Sequence, residues 1–451
     1  MGPRQNAGEA HSGHLVSRTE RLSDASLSSL LRTRYRPHVV WSAPGEPSVV
    51  GCGAVATLTA DGAGRVDAVR EDATDLLDSI DTDPDAPSVA RPRLFGGFAF
   101  HDDHEANAPW AGFPGAAFVL PRVQFTVTDE ATWLTVTTRD ADAAETVADV
   151  REAVADAPTD PEPRSPPGVL ATERTPDRET WREQVESAVS RIRGGDLEKV
   201  VLAQSLAADL DDAFSLADTL DRLGATYPDC FRFAFRADGG GTFFGASPER
   251  LVTRHGGRLE TGALASTIGR GETPAADAAL ERDLRESEKF RHEHDLVVES
   301  IREQLDPVAE NVTTGERRVR KLATVQHLFT PMAADTDAHV LDLVDALHPT
   351  PAVGGLPPEA ALDTIRETET FDRGWYAAPV GWVDADGDGT FAVAIRSAVA
   401  EDEAATLFAG NGIVADSDPD EEWKEVQLKF RPVLDHLERG HERDYGRAHE
   451  R

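Results

Sequence analysis

Between residues 37 and 135 the apolar residues fall in short runs, HVVWSA, VVGCGAVATL, LFGGFAF, AAFVLPRVQFTV and TWLTVTT, separated by Gly, Pro and Asp turns. Runs of this length, bounded by turn formers, predict strands. The spacing becomes helical at about 142–155, and the charged, Pro-rich stretch 157–168 reads as a linker or surface loop. A helix is predicted over 178–193, after which VVLAQSLAADL, CFRFAFRA, TFFGA and RLVTRH return to strand character. Two long helical patterns follow. Over 278–305 the apolar stripe is Leu280, Leu284, Val297, Ile301 and Leu305; over 418–437 it is Trp423, Val426, Phe430, Val433 and Leu437. Ser417 or Asp418 can cap the second helix, with Pro419 in its first turn. Strands in neighbouring runs, with helices grouped rather than alternating, predict an α+β fold with antiparallel sheets. The expected organisation is a polar segment over 1–30, loose at its start, a β-rich part over 31–165, a second region over 175–440 and a polar tail over 441–451.

Several charged residues stand out against this pattern. Glu422, Glu425 and Lys429 each precede a member of the last helix's apolar stripe. At about 100° per residue they form a second face beside the buried one, where a residue lining a cleft would lie. Lys199, in LEKVVLAQS, stands at the mouth of an apolar strand. It is either a strand-end lysine with a wet ammonium or a partly desolvated lysine able to act as a base. In TFFGASPERLV a strand runs into a turn holding Glu249, which on pattern alone is an exposed Glu–Arg turn. DADGDGT (384–390) begins like a calcium loop, but Ile395 occupies the twelfth position where a bidentate Glu is needed, so a hairpin turn is expected. Gly410 and Gly412 lie between a strand and a helix without the full dinucleotide fingerprint, and they let backbone approach a ligand closely.

Composition narrows the function. No apolar run reaches bilayer length, and the polar first twenty residues lack the apolar stretch of a signal peptide. Two cysteines, Cys52 and Cys230, cannot make a disulfide framework, so a reducing cytoplasm is expected. The net charge is −35, from 81 acidic and 46 basic residues, which argues against nucleic acid and anionic membrane as partners. Lysine occurs only at 199, 289, 321, 424 and 429. An acidic, lysine-poor surface fits a salt-loving host, where the Debye length shrinks to about 3 Å at molar salt. Where arginine is preferred elsewhere, a retained lysine points to work that arginine cannot do, such as losing a proton near neutral pH.

Nine segments in order, EKVVLAQS, FFGASPERLV, ETGALASTIGRGE, KFRHEHDLVVESI, VQHLFT, LHPTPAVGGLPPEAAL, FDRGWYAAPVGW, AIRSAV and AGNGIVADSDPDEEWKEVQLK, resemble the chorismate-utilising enzymes over about 175–437. LFGGFAF is similar to an N-terminal segment of that family. Lysine at 199, where the ammonia-using members usually carry glutamine, resembles the isochorismate type, and the HPTPAVGG run is similar to the isochorismate and salicylate branch. The resemblance implies an α+β fold with two β-sheets enclosing a central site and helices outside. It implies a magnesium-dependent isomerisation of chorismate, with the oligomeric state left open and a monomer compatible.

Carried over by the same resemblance, Lys199 is the general base and Glu249 the general acid. Glu293 and Glu425 would be magnesium ligands, with Glu422 acting through water. Arg396, Lys429, Gly410, Gly412 and the backbone around Ser266 and Thr267 would meet the substrate carboxylates, and His327, Tyr376 and Ile395 would line the pocket. This chain departs from the family at Ser266 and Asn411, where glycine and alanine are usual, and at Gln204 and Phe290. Salicylate synthase, an anthranilate synthase component and a non-catalytic chorismate-binding subunit are the alternatives.

Overall fold

The computed structural model describes residues 14–22, 25–139, 143–321 and 325–439. The apolar runs form strands as their composition predicts, and each finds partners far away in sequence. One series of antiparallel neighbours runs from Leu15–Leu22 through Thr132–Thr138, Ala116–Val127, Ser48–Ala60, Pro37–Ser42, Phe231–Arg236, Thr242–Ser247, Ser397–Glu401 and Ala404–Ile413. It ends at Lys199–Leu210 and Val169–Thr175. A second series leaves the first half of Ala116–Val127 through Leu94–Phe98, Pro379–Val383, Gly389–Val393, Arg250–His255, Arg258–Gly269 and Val325–Asp335. The two sheets are thus arms of one hydrogen-bonded network, diverging at Ala116–Val127, whose later half pairs with Thr132–Thr138 instead.

Two of the chain's crossings between the arms lie at adjacent points. Thr242–Ser247 in one arm continues through Glu249 into Arg250–His255 in the other. Gly389–Val393 returns through Ile395 and Arg396 into Ser397–Glu401. The crossings are stitched by Val393 N–H to the Glu249 carbonyl at 3.1 Å and Ala246 N–H to the Arg396 carbonyl at 3.2 Å. An aromatic cluster packs nearby. Trp110 stacks on Phe408 and meets Phe243 edge-on, and Phe408 stacks in turn on Tyr376, so the core reaches the wall of the site.

The helices cover the arms. Arg178–Gly194 and Pro419–Leu434 pack on one another and on the strand Ala404–Ile413. Asp418 caps the latter by accepting the Asp420 and Glu421 N–H groups. Its Val426, Phe430 and Val433 are buried as the stripe predicts, while Trp423 is half-buried beneath the Arg174 guanidinium. The single helix expected over 278–305 is two, Pro274–Glu286 and Glu288–Leu305, because Ser287 is extended (ψ 125°) and both ends the first and begins the second. Further elements escaped the pattern, among them one helix and one strand near the start of the chain. Arg65–Asp78 is helical, and Leu15–Leu22, within the segment expected to be loose at its start, is a strand. DADGDGT is a turn: Asp388 is engaged by Arg254 and the Gly256 N–H, and Asp384 accepts N–H groups of the turn itself. Cys52 and Cys230 are buried and unbridged, and no helix among the described residues is long and apolar enough to cross a membrane.

Candidate active site

A cavity of about 1960 Å³ opens between the arms and the last helix. It is lined by thirteen of the fourteen residues singled out from sequence: Lys199, Glu249, Ser266, Glu293, His327, Tyr376, Ile395, Arg396, Gly410, Gly412, Glu422, Glu425 and Lys429. The fourteenth, Thr267, pairs with His327 in the strand ladder, and its side chain lies outside the described residues. Four of the five lysines, Lys199, Lys289, Lys424 and Lys429, line this one cavity in a chain of net charge −35. The fifth, Lys321, bonds Asp277 and Glu281.

Lys199 opens the strand Lys199–Leu210, and its ammonium lies 3.4 Å from Glu293 on the helix Glu288–Leu305. Its stem crosses Gly412 so closely that a Cβ there would stand 2.6 Å from Lys199 Cε. A Cβ at Gly410 would fall 3.2 Å from the Tyr376 hydroxyl and 2.9 Å from the Leu202 carbonyl. The two glycines are therefore required by what passes over them. Lys429 donates to the Gly410 carbonyl at 3.0 Å and pairs with Glu425 at 3.1 Å.

Glu249 is buried at the first crossing, not exposed as its turn suggested. Burial raises its carboxyl to about 7, against the opposing pull of Lys199, Arg396 and Arg320. It is thus able to hold a proton near neutral pH. His327 is held down to about 3, chiefly by burial and then by the charges of Arg396, Lys429 and Arg320, so its imidazole is neutral. Burial raises the Tyr376 phenol, which remains protonated.

Two of the four departures from the family sequence, Ser266 and Asn411, touch a carboxylate. Ser266 sits at a bulge with φ 55°, where glycine is at ease, and its hydroxyl lies 2.8 Å from the Phe290 carbonyl and 3.1 Å from Glu293. Asn411 donates to Glu422 at 2.8 Å, and Ser417 donates to the other oxygen at 2.7 Å. Glu422 is raised above the usual carboxylate range, first by burial and also by the charge of Glu425. Among the described residues no three acidic, His or Cys side chains close into a metal cluster. From sequence Ser417 was only a candidate helix cap and Asn411 only a departure from the family, and Arg320 was not singled out. Their contacts come from tertiary packing that no local motif marks.

Comparison with known proteins identifies the chain's relatives. A family model described as chorismate binding enzyme matches residues 4–438. The isochorismate synthase MenF of Bacillus subtilis is 39% identical over 356 residues, 78% of this chain and 75% of the relative. The salicylate biosynthesis isochorismate synthase of Pseudomonas aeruginosa is 47% identical over 264 residues, 58% of this chain and 55% of the relative. Among solved structures, the menaquinone-specific isochorismate synthase MenF of Escherichia coli superposes with a TM-score of 0.80 at 26% identity, covering 94% of both chains. Anthranilate synthase component I of Streptococcus pneumoniae shares the fold, with a TM-score of 0.72 at 22% identity over 87% of this chain and 93% of that one. The α+β architecture, the cavity and a family match spanning nearly the whole chain lead to one conclusion: this protein belongs to the chorismate-binding enzymes.

Proposed function

We propose that the chain is a magnesium-assisted isochorismate synthase, supplying isochorismate for menaquinone synthesis. The observation that carries this reading is the pairing of Lys199 with a protonatable Glu249 on one cavity, in a chain similar to isochorismate synthases over most of its length. The reaction adds water at C2 of chorismate as the C4 hydroxyl departs, so one base and one acid suffice and no atom is gained or lost overall. Lys199, acting as the neutral amine, accepts a proton from the attacking water. Glu249, protonated near neutrality, donates to the leaving hydroxyl. Arg396 and Lys429 supply cationic charge for the substrate carboxylates, and neutral His327 and Tyr376 shape the wall without adding charge.

The residues suit a hard divalent cation. Glu293, Glu422 and Glu425 present only carboxylate oxygens, and Glu422, raised chiefly by burial, also feels the charge of Glu425. Glu293 and Glu425 would hold the ion, with Glu422 held behind them by Asn411 and Ser417. A bound cation supplies charge that offsets repulsion between substrate and protein carboxylates. The test is to incubate purified protein with chorismate, magnesium and potassium chloride and to identify the product chromatographically. Isochorismate without pyruvate is expected; salicylate with pyruvate would overturn the assignment.

A further inference from the structure

Beside the cavity lies an ion pair to which the reaction as described gives no part. Arg373 is 1% exposed, and the side chain of Glu369 is nearly as buried. Arg373 Nε donates to Glu369 Oε2 at 2.8 Å and Nη2 to Oε1 at 2.5 Å, a bidentate fork. The same guanidinium donates to the Val353 carbonyl at 2.9 Å and the Val201 carbonyl at 2.7 Å. It also lies 4.3 Å above the ring of Phe100. Glu369 in turn accepts the Ala203 N–H at 2.8 Å.

These backbone groups belong to one gap in a sheet edge. On this edge of Lys199–Leu210, the strand Val169–Thr175 pairs as far as Ser205 and then leaves. The short strand Gly355–Leu356 pairs only with Val200 and Lys199, and Val201 N–H reaches the Gly354 carbonyl at 2.8 Å. Between the two neighbours the Val201 carbonyl and the Ala203 N–H face the same side and have no strand opposite. Buried backbone groups left unpaired would be costly. Here a carboxylate takes the N–H and a guanidinium takes the carbonyl, as a neighbouring strand would.

We propose that Glu369 and Arg373 are positioning residues that stand in for the missing strand and fix the Lys199 strand against the 350–353 turn. The strand places Lys199 two residues before Val201. The turn, closed by Val353 and Gly354 N–H groups onto the Thr350 carbonyl, brings Thr350 beside Glu249, its hydroxyl close to the carboxyl though outside regular hydrogen-bond geometry. One guanidinium therefore holds both supports, that of the base and that of the acid, at a set separation. A buried pair is a weak source of net stability but a strong constraint on geometry, and sub-ångström placement governs proton transfer.

The kinetic part of the test rests on the isochorismate synthase reading; a second readout does not. Arg373→Lys keeps a charge near Glu369 but cannot fork to two carbonyls, and Glu369→Gln keeps an acceptor for Ala203 without the ionic fork. For each, chorismate binding stoichiometry, KM, kcat and amide exchange over 199–205 and 350–356 are compared with wild type. The expected result is one chorismate per chain, KM within about threefold, kcat down about a hundredfold and faster exchange confined to those two segments. A kcat near wild type with unchanged exchange overturns the proposal. So does a kcat loss matched by an equal loss of chorismate-binding protein, which would mark a purely structural role. If neither variant folds, Glu369→Leu with Arg373→Met removes both charges together and is measured in the same way. Wild-type protein that binds but does not convert chorismate would defeat the functional reading, and the exchange data then decide the positioning role by themselves.

Discussion

Replacing Glu249 by glutamine separates what the residue does for the reaction from what it costs the fold. Its carboxyl lies at about 7 against an ordinary 4.5, because burial penalises the ionised form more than Lys199 and Arg396 favour it. Between those values the folded protein holds a proton that the unfolded chain has released, so stability falls as pH rises. The stabilising contribution is complete below about pH 4.5 and is lost by the time pH passes about 7. At about 1.4 kcal/mol per pKa unit the loss is about 3 kcal/mol. Glutamine resembles the protonated acid and carries no such penalty. The variant should exceed wild type in stability by about 3 kcal/mol at pH 8 but only about 1 kcal/mol at pH 5. With an unfolding entropy of about 2.1 cal/mol/K per residue, the gain at pH 8 corresponds to a Tm about 3 °C higher. Calorimetry of both proteins across pH 5–8 at fixed salt measures it, while kcat should fall by about 10²–10⁴ through loss of the acid. A variant no more stable than wild type at pH 8, or equally stabilised at both pH values, would refute the buried-acid argument.

Other perturbations probe the rest of the site. Lys199→Gln should lower kcat by about 10²–10⁴ with chorismate still bound, because the amide cannot take the water's proton; water-dependent turnover near the wild-type rate would exclude Lys199 as the base. Glu425→Gln should weaken magnesium binding, followed by titration calorimetry, by more than the roughly tenfold typical of losing an outer partner; an unchanged isotherm would remove Glu425 from the ligand set. Ser266→Gly relieves a left-handed serine, worth about 1 kcal/mol, and loses a hydrogen bond worth about the same. Its Tm should therefore hold while magnesium affinity drops, and unchanged affinity would deny the hydroxyl any hold on Glu293. Finally, Tm should rise with potassium chloride as the Debye length falls from about 30 to about 3 Å, and magnesium should raise it further at each salt concentration; a midpoint flat across salt would refute the salt-adapted reading of 81 acidic residues.

Strands and the amphipathic last helix were legible because each advertises itself locally, by period, cap and turn. The break at Ser287 was not, since helical spacing continues on both sides and one extended residue suffices to divide it. Nor was the helix Arg65–Asp78, which lies between β-rich runs and begins at Gly64 without a side-chain cap. Glu249 shows the limit most clearly. Its turn reads as surface from the sequence, and burial comes from strands more than a hundred residues away, as the bond from Val393 to its carbonyl attests. Lys199 was noticeable because lysine is scarce, yet its contact with Glu293 depends on how a distant helix lies across the strand. Residue type and motif order can nominate such a group, but only the fold sets its partner and hence its acidity.

The last helix has a consequence for the protein's life before it is finished. Glu422, Glu425 and Lys429 all ride on Pro419–Leu434, whereas Lys199, Glu249 and Arg396 are supplied by earlier strands and turns. A nascent chain translated as far as Ile413 already contains Lys199, Glu249 and Arg396 but none of those three groups. It is left with a half-walled basin that keeps Arg396 but lacks Lys429, Glu422 and Glu425 of the helix. Activity should therefore begin abruptly as the final helix docks, and an unfinished or C-terminally clipped molecule should be silent rather than partly competent. Proteolysis within that single segment would act as an off switch, leaving most of the scaffold standing.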